Sequence, residues 1–121
     1  MTDPGSEVPP TVDVAAEDLL WRRLHELHLV RDAEGSERIS SAAFTDPELS
    51  VDLARLVPGR DFRITMGAGA GVAEFLVSAA LVRGLQAEHA PEPHNYAHTL
   101  VLGKKTESIK RHLARSSALL K

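Results

Sequence analysis

The sequence predicts an α+β fold, in which a small sheet of about three to five strands packs with about three to four helices. The chain has 121 residues, a length that suits one domain. Hydrophobic residues make up 43% of it and charged residues 26%, as in ordinary folded soluble domains. Helical and strand periodicities both occur along the chain. We therefore predict a single domain over residues 13–121, preceded by a polar, disordered leader over residues 1–12.

The first half of the domain is predicted to begin with a helix and a strand. Leu20, Leu24 and Leu27 recur at helical spacing, which predicts a helix over residues 13–28. An extended conformation of its L-L-W-R-R-L portion is the alternative. The segment R-I-S-S-A-A-F, residues 38–44, indicates a short strand.

A second helix is predicted to begin at D-P-E, residues 46–48. This triplet supplies an N-cap carboxylate, a proline at the first helical position and an acid in the first turn. Pro58 and Gly59 end the helix. Its apolar stripe consists of Leu49, Leu53, Leu56 and Val57.

The middle of the chain is predicted to continue with a strand and a helix. Residues 61–66, D-F-R-I-T-M, alternate between polar and apolar residues, which predicts a half-buried strand. After G-A-G-A-G, residues 72–82 are predicted to form a helix with Gly84 at its C-cap. A buried strand is the alternative, because periodicity does not separate the two in a continuous apolar run.

The last third is predicted to contain two strands and a helix. The strands are residues 85–90 and 96–102, joined by a proline-bounded loop over residues 91–95. Thr106 is predicted to cap the last helix. The residues expected to face inward from this helix are Ile109, Leu113 and Leu120.

The composition excludes several classes of chemistry. The chain has no cysteine, so disulfides, thiolate zinc sites and a cysteine nucleophile are excluded, and a reducing cytoplasm is the expected setting. The acidic N-terminus carries no apolar run typical of a signal peptide. No stretch reaches the roughly 18 apolar residues of a membrane-spanning helix. We therefore expect no membrane partner.

Charge is distributed unevenly along the chain. The net charge of −3 argues against nucleic acid as a partner. Residues 1–18 contain only acidic charges, whereas residues 104–121 contain six lysines and arginines and one glutamate. A basic C-terminal helix can contact a protein partner, pair with the acidic leader, or simply be a solvated face.

Two glycine-containing segments resemble phosphate-binding motifs without matching them. G-A-G-A-G has Val72 where G-x-G-x-x-G requires its third glycine. G-K-K-T has His98 where a P-loop requires glycine, and Lys105 where it requires serine or threonine. What survives is a helix start at Thr106 beside Lys104 and Lys105, where free N–H groups and two ammonium groups can attract an anion.

Among the six histidines, His98 is the strongest candidate for chemistry. A strand would hold it rigidly, and general acid–base catalysis requires a positioned imidazole. The pairs His25/His28 and His94/His98 have nitrogen ligands that metals accept, but they are far apart in sequence and lack a completing carboxylate. We therefore predict no metal site, and the sequence identifies no cofactor.

Several segments together resemble a group of short bacterial proteins of uncharacterised activity. They are W-R-R, R-x-S-S-A-A-F, L-S-V-D and A-H-x-x-V-x-G-K-K, within residues 19–117. The resemblance implies that one unit is formed by Arg22, Ser40, Ser41, Asp52, His98 and Lys104. A looser likeness is to small ADP-ribosyltransferase-type folds, which implies an NAD-binding enzyme using Arg22 or Arg23 with a serine of the following strand. The chain departs from that pattern in lacking a clear catalytic glutamate motif.

We therefore expect a polar pocket that binds an anionic small molecule or a nucleotide-like ligand. His98 is the candidate catalytic residue, as proton donor or acceptor. The candidate ligand-binding residues are Lys104, Lys105, Ser40, Ser41, Arg22 and Asp52. The alternative is a non-catalytic interaction module, such as an accessory or antitoxin-like subunit, and a second alternative is the ADP-ribosyltransferase-like enzyme.

Overall fold

A computed structural model describes residues 9–67 and 69–121 of the protein. These residues form a six-stranded antiparallel sheet and a separate two-stranded antiparallel ribbon. The strands are β1 (Leu19–Arg23), β2 (Leu29–Arg31), β3 (Glu37–Ile39), β4 (Glu48–Leu53), β5 (Val72–Leu76), β6 (Gln86–His89), β7 (His98–Leu102) and β8 (Ala118–Leu120). The sheet order is β6-β7-β4-β1-β5-β8, and β2 pairs with β3 in the ribbon.

The predicted α+β class with a sheet of three to five strands is wrong. The sheet has six strands, and helix is sparse in the described residues. The α-helices are α1 (Phe62–Met66), α2 (Val77–Leu81) and α3 (Glu107–Ser116). Only α3, with ten residues, exceeds two turns, since α1 and α2 have five residues each. Short 3-10 helices occupy Glu26–His28, Ser41–Phe44, Ala54–Leu56 and Pro58–Arg60.

The helix predicted over residues 13–28 is wrong, because its central part is strand β1. β1 lies between β4 and β5 and is covered on both faces, with Leu20 in one core cluster and Trp21 in the other. A strand that is buried on both faces does not alternate between polar and apolar residues. The continuous apolar run L-L-W is therefore compatible with helical spacing, which led to the wrong prediction. Leu27, which completed that stripe, is 90% exposed.

The helix predicted after residues 46–48 is also wrong, because Glu48–Leu53 is strand β4. Leu49, Val51 and Leu53 point into the core, and the polar residues between them point to the other side of the sheet. Spacing of four residues between Leu49 and Leu53 suits both a helix and a strand. The burial of Val51 between them identifies the period of two.

Two further segments differ from their predicted secondary structure. The strand predicted over residues 61–66 is wrong, because Phe62–Met66 forms α1 and Asp61 caps it by accepting a hydrogen bond from Arg63 N. Phe62 and Met66, one turn apart, pack on the cluster around Trp21, whereas Ile64 is 60% exposed. Residues 72–82 divide into β5 and α2, so the strand alternative holds for the first part.

The remaining elements follow the predictions more closely. β6, β7 and α3 are confirmed, and Thr106 caps α3 by accepting a hydrogen bond from Ile109 N. Leu120 lies on β8 rather than on the last helix. The strand predicted over residues 38–44 ends at Ile39, and a 3-10 helix capped by Ser40 follows.

The two faces of the sheet are covered differently. One face packs against α2, α3 and the 3-10 helix Ser41–Phe44 and forms the main core. On the second face, α1 and neighbouring residues cover the side around β1 and β5 through Trp21, Val72, Val57 and Phe62. Around β4, β7 and β6 the second face carries exposed side chains, namely Glu48, Ser50, Gln86 and Glu88.

The leader predicted over residues 1–12 is described only from residue 9, and its first eight residues lie outside the described part. In residues 9–12, Pro10 O accepts a hydrogen bond from the Tyr96 hydroxyl at 2.6 Å. Val12 N donates to His89 Nδ1 at 2.9 Å. Within the described ranges, no helix is long and apolar enough to span a membrane.

Candidate functional site

His98 lies at the start of β7, on the second face of the sheet. Its Nδ1 is 2.7 Å from the carbonyl oxygen of Ala90, and its Nε2 is 3.2 Å from the Ser50 hydroxyl. The Glu92 carboxylate is 3.7 Å from Nε2. His98 and Ser50 are diagonal neighbours, because the ladder pairs His98 with Asp52 and Leu100 with Ser50. The imidazole is therefore held at both nitrogens.

Asp52 supports the loop beside His98. Its side chain is buried, and its Oδ1 accepts a hydrogen bond from Asn95 Nδ2 at 2.8 Å. Asn95 in turn accepts a hydrogen bond from Ala97 N at 3.1 Å. The second oxygen, Oδ2, has no hydrogen-bond partner among the described residues. Asp52 thus anchors the turn that leads into β7.

Lys105 points into the protein rather than toward a ligand. Its ammonium donates to the carbonyl oxygens of Pro47, Val101 and Gly103 at 3.0 to 3.1 Å. The residue is 8% exposed, and burial lowers its pKa while Asp46 acts in the opposite direction. Lys105 therefore fastens the end of β7 to the start of β4.

Lys104 is exposed and lies, like Lys105, beyond the far end of β7 from His98. At about 3.3 Å per residue, the strand separates His98 from Gly103 by roughly 17 Å. The structure therefore does not bring the lysines and His98 into one pocket.

Arg22 on β1 binds the backbone of two neighbouring elements. Its guanidinium donates to the carbonyl oxygens of Ala43 at 3.0 Å and Ser50 at 3.1 Å, and it lies 3.5 Å from Asp46. Burial lowers the pKa of Arg22, and Asp46 partly offsets that effect. Arg22 holds the 3-10 helix Ser41–Phe44 against the sheet.

Ser40 and Ser41 line a cleft on the opposite side of the sheet from His98. The cleft lies between β3, the 3-10 helix Ser41–Phe44 and α3, and has a volume of about 680 Å³. We call it the α3 cleft. Ser40 Oγ accepts a hydrogen bond from Ala42 N, and Ser41 Oγ donates to Glu107. The cleft is lined by Val30, Glu37, Arg38, Ile39, Ser40, Ser41, Glu107, Arg111, Ala114, Arg115, Ser117 and Leu119.

Three arginines, Arg38, Arg111 and Arg115, give the α3 cleft its positive charge. Within the part of the chain that is described, no carboxylate oxygen lies within 4.0 Å of the guanidinium of Arg38 or Arg115, whereas Arg111 lies 4.0 Å from Glu107. The cleft thus contains two arginines whose charge no nearby carboxylate neutralises.

Both carboxylates of the cleft already have cationic partners. Glu37 lies 2.8 Å from the ammonium of Lys121, whose hydrogen bond lowers the pKa of Glu37. Glu107 accepts the Ser41 hydroxyl at 3.0 Å and lies 3.7 Å from Lys110. The cations that face the cleft therefore outnumber its anions.

Sequence reasoning missed the arginines of the cleft and the contact between Ser50 and His98. Arg111 and Arg115 are four residues apart and share a helix face, a spacing that is visible in the sequence but equally typical of a solvated face. No local signal indicates that Arg38 from β3 joins them. Ser50 and His98 are 48 residues apart, and only the pairing of β4 with β7 brings them together.

The two histidine pairs do not form a metal centre. His25 N donates to His28 Nδ1 at 3.2 Å, and the two rings lie 5.3 Å apart. Burial lowers the pKa of His28, and the charges of Arg22 and His25 act in the same direction. Across residues 9–67 and 69–121, no three histidine, aspartate or glutamate side chains cluster as metal ligands.

Comparison of the chain with protein-family models, with curated proteins and with solved structures finds no match. Functional assignment therefore depends on the geometry of the α3 cleft and of the Ser50–His98 contact.

Proposed function

We propose that the protein binds a small anionic ligand of the phosphate-ester or nucleotide class in the α3 cleft. The observation that supports this most strongly is the convergence of Arg38, Arg111 and Arg115 on one cavity of about 680 Å³. Such a volume falls within the range of about 300–1,000 Å³ that is typical of small-molecule sites.

The chemistry of the cleft suits phosphate. A guanidinium presents a planar set of donors that matches two oxygens of a phosphate group, and its charge persists at every physiological pH. Arg111 and Arg115 approach from α3 and Arg38 from β3, so a phosphate between them contacts both walls. Ser40 and Ser41 lie at the same wall as Arg38 and provide hydroxyl groups for ribose or phosphate oxygens.

As predicted from the sequence, the proposed ligand is anionic and the proposed binding residues include Ser40 and Ser41. The proposed cationic residues are arginines of the cleft instead of the predicted Lys104 and Lys105. Lys105 is engaged with backbone carbonyls, and Arg22 and Asp52 support neighbouring backbone. His98 lies on the other face of the sheet and takes no part in the cleft. The absence of cysteine supports the cytoplasm as the location.

The test is a thermal-shift screen with nucleotides, NAD and sugar phosphates at millimolar concentration, followed by calorimetric titration of the ligand that gives the largest shift. A ligand at 100 times its Kd stabilises the folded state by about 2.7 kcal/mol, which raises Tm by about 4 °C or more. Replacing Arg38 or Arg115 by Gln should weaken binding about tenfold or more, because each removes charge-assisted hydrogen bonds.

Arg60→Gln is the matched control, since Arg60 is exposed and does not line the α3 cleft. It should bind as tightly as the wild-type protein. The proposal is wrong if no ligand raises Tm, or if Arg38→Gln and Arg115→Gln bind as tightly as Arg60→Gln.

A second candidate function is a protein-interaction surface on α3. Beside the α3 cleft, a depression of about 170 Å³ is lined by Arg83, Ser108, Arg111, His112 and Arg115. Its composition suits an acidic protein segment. Charge reversal at Arg83, which does not line the α3 cleft, should weaken such an interaction and leave ligand binding unchanged. The resemblance to ADP-ribosyltransferase-type enzymes stays a prediction that the NAD titration tests.

A further inference from the structure

We propose that Ser50 and His98 form a nucleophile–base pair that hydrolyses short-chain carboxylic esters. This site lies on the second face of the sheet and is independent of the ligand proposed for the α3 cleft. The proposal rests on the tautomer of His98, the exposure of Ser50 and the groups around them.

The hydrogen bonds of His98 determine where its proton lies. Ala90 O is a carbonyl oxygen and can only accept, so Nδ1, at 2.7 Å, carries the proton and donates it. Nε2 of the neutral ring therefore has a free lone pair, and it accepts the hydroxyl proton of Ser50 at 3.2 Å. This is the arrangement of a nucleophile, a base and a group that orients the base, with a backbone carbonyl as the orienting group.

Ser50 is rigid and accessible. It lies in the middle of β4, which pairs with β1 on one side and β7 on the other, and Arg22 binds its carbonyl oxygen. The residue is exposed and lies on the uncovered part of the second face, around β4, β7 and β6. Ser50 is therefore positioned like a preorganised nucleophile rather than a flexible surface hydroxyl.

Two neighbours suit the ester chemistry. The Glu92 carboxylate, 3.7 Å from Nε2, stabilises the imidazolium that forms when His98 takes the serine proton. Leu100 is the direct cross-strand neighbour of Ser50 and, with Leu102, lies half-buried on the same face. These side chains offer an apolar contact for a short acyl chain.

The reaction has two steps. In the first, Ser50 Oγ attacks the ester carbonyl while its proton moves to Nε2, and the bond to the alcohol breaks as the alcohol leaves with that proton. In the second, a water molecule gives its proton to Nε2 and attacks the acyl group. The carboxylic acid then leaves as Ser50 recovers the proton. One ester and one water give one acid and one alcohol.

The experiment combines hydrolysis of 4-nitrophenyl acetate with labelling by a fluorophosphonate and mass spectrometry of the labelled peptide. The label should lie on Ser50 and should be absent in Ser50→Ala. His98→Asn keeps an N–H near the position of Nδ1 but has no base, so hydrolysis should fall by about 100-fold or more. Ser36→Ala is the control, because Ser36 is exposed in the turn between β2 and β3 and lines neither proposed site, and it should change neither result.

A second variant keeps the proposal testable where hydrolysis is too slow to measure. The chain has no cysteine, so Ser50→Cys introduces a single thiol. If His98 acts as its base, iodoacetamide should alkylate S50C at least about tenfold faster at neutral pH than S50C with His98→Asn, and faster than S36C, a thiol at an exposed position away from both sites. Labelling outside Ser50, or equal alkylation of S50C with and without His98, would overturn the proposal.

Discussion

Lys105 has a side chain that could bind an anionic ligand, but its position in the fold gives it a structural role. Its ammonium donates to the carbonyl oxygens of Val101 and Gly103 at the end of β7 and of Pro47 just before β4. A buried charge needs such partners, because an unpaired ammonium in the interior is strongly destabilising. The neighbouring Lys104 is exposed.

We predict that Lys105→Met destabilises the protein by about 2 kcal/mol, because it leaves carbonyl oxygens without their charged donor. Urea unfolding monitored by circular dichroism measures the change. Lys104→Met is the control and should change the free energy of unfolding by less than about 0.5 kcal/mol. Equal effects of the two substitutions would contradict the structural role of Lys105.

The type of a residue does not determine whether its side chain reaches the site. Ser40 and Ser41 do lie in a polar cleft, but the predicted lysines do not reach it. A residue type indicates which bonds a side chain can form. The direction in which the side chain points depends on the turn that precedes it and on neighbours from other elements. Lys105 lies two residues after Gly103, whose φ of +127° turns the chain at the end of β7.

At the scale of elements, the glycine-rich segment before β5 has a packing role. Gly71 has a φ of +127°, and a Cβ at this position would lie 2.6 Å from Leu120 O on β8. The close approach of β8 to β5 therefore requires a residue without a side chain at this point. That requirement explains Gly71 without the dinucleotide-binding motif that the segment resembles.

We predict that Gly71→Ala destabilises the protein by about 2 kcal/mol or more, since it combines an unfavourable φ with a clash against backbone. Thermal unfolding measures the loss. Gly59→Ala is the reference for a positive φ without a clash, because Gly59 has a φ of +62°, in the left-handed helical region, and open space around it. It should cost only about 1 kcal/mol. Similar losses for both variants would show that the contact with Leu120 O contributes nothing.

The interchange of helix and strand among the predicted elements has a common cause. β1 and β4 lie inside the sheet, where hydrogen bonds to distant segments compensate for local preferences. Residues 61–66 have a strand-like pattern, but residues 62–66 form α1, because Asp61 caps this helix and Phe62 packs edge-on against Trp21 at 5.9 Å. In these segments, contacts with residues distant in the sequence therefore determine the secondary structure more than the local periodicity does.

At the scale of the whole molecule, the C-terminal strand protects an edge of the sheet. β8 pairs with β5 through the register of Val72 with Leu120 and Ala73 with Leu119. Without it, the apolar β5 would present unpaired N–H and C=O groups at the edge. The terminal Lys121 also binds Glu37 at the α3 cleft. The end of the chain therefore contributes to both the sheet and the cleft.

We predict that removing residues 118–121 lowers the free energy of unfolding by roughly 2 kcal/mol, because Leu119 and Leu120 lose their half-buried packing. The exposed β5 edge should also promote self-association. Urea unfolding and size-exclusion chromatography measure the two effects. Removal of Lys121 alone should leave the elution volume unchanged, and a 118–121 deletion that elutes and unfolds like the full chain would contradict the role of β8.

The features that could be predicted correctly from the sequence are those with local causes. They include the strands β6 and β7, the Thr106 cap of α3 and the exclusion of cysteine chemistry. Tertiary contacts, by contrast, make residues 19–23 and 48–53 strands, place Arg38 in the same cleft as Arg111 and Arg115, and bring Ser50 to His98. The reason is physical: caps and turns depend on neighbours in the chain, whereas sheet pairing and cleft formation depend on contacts between distant residues that periodicity does not encode.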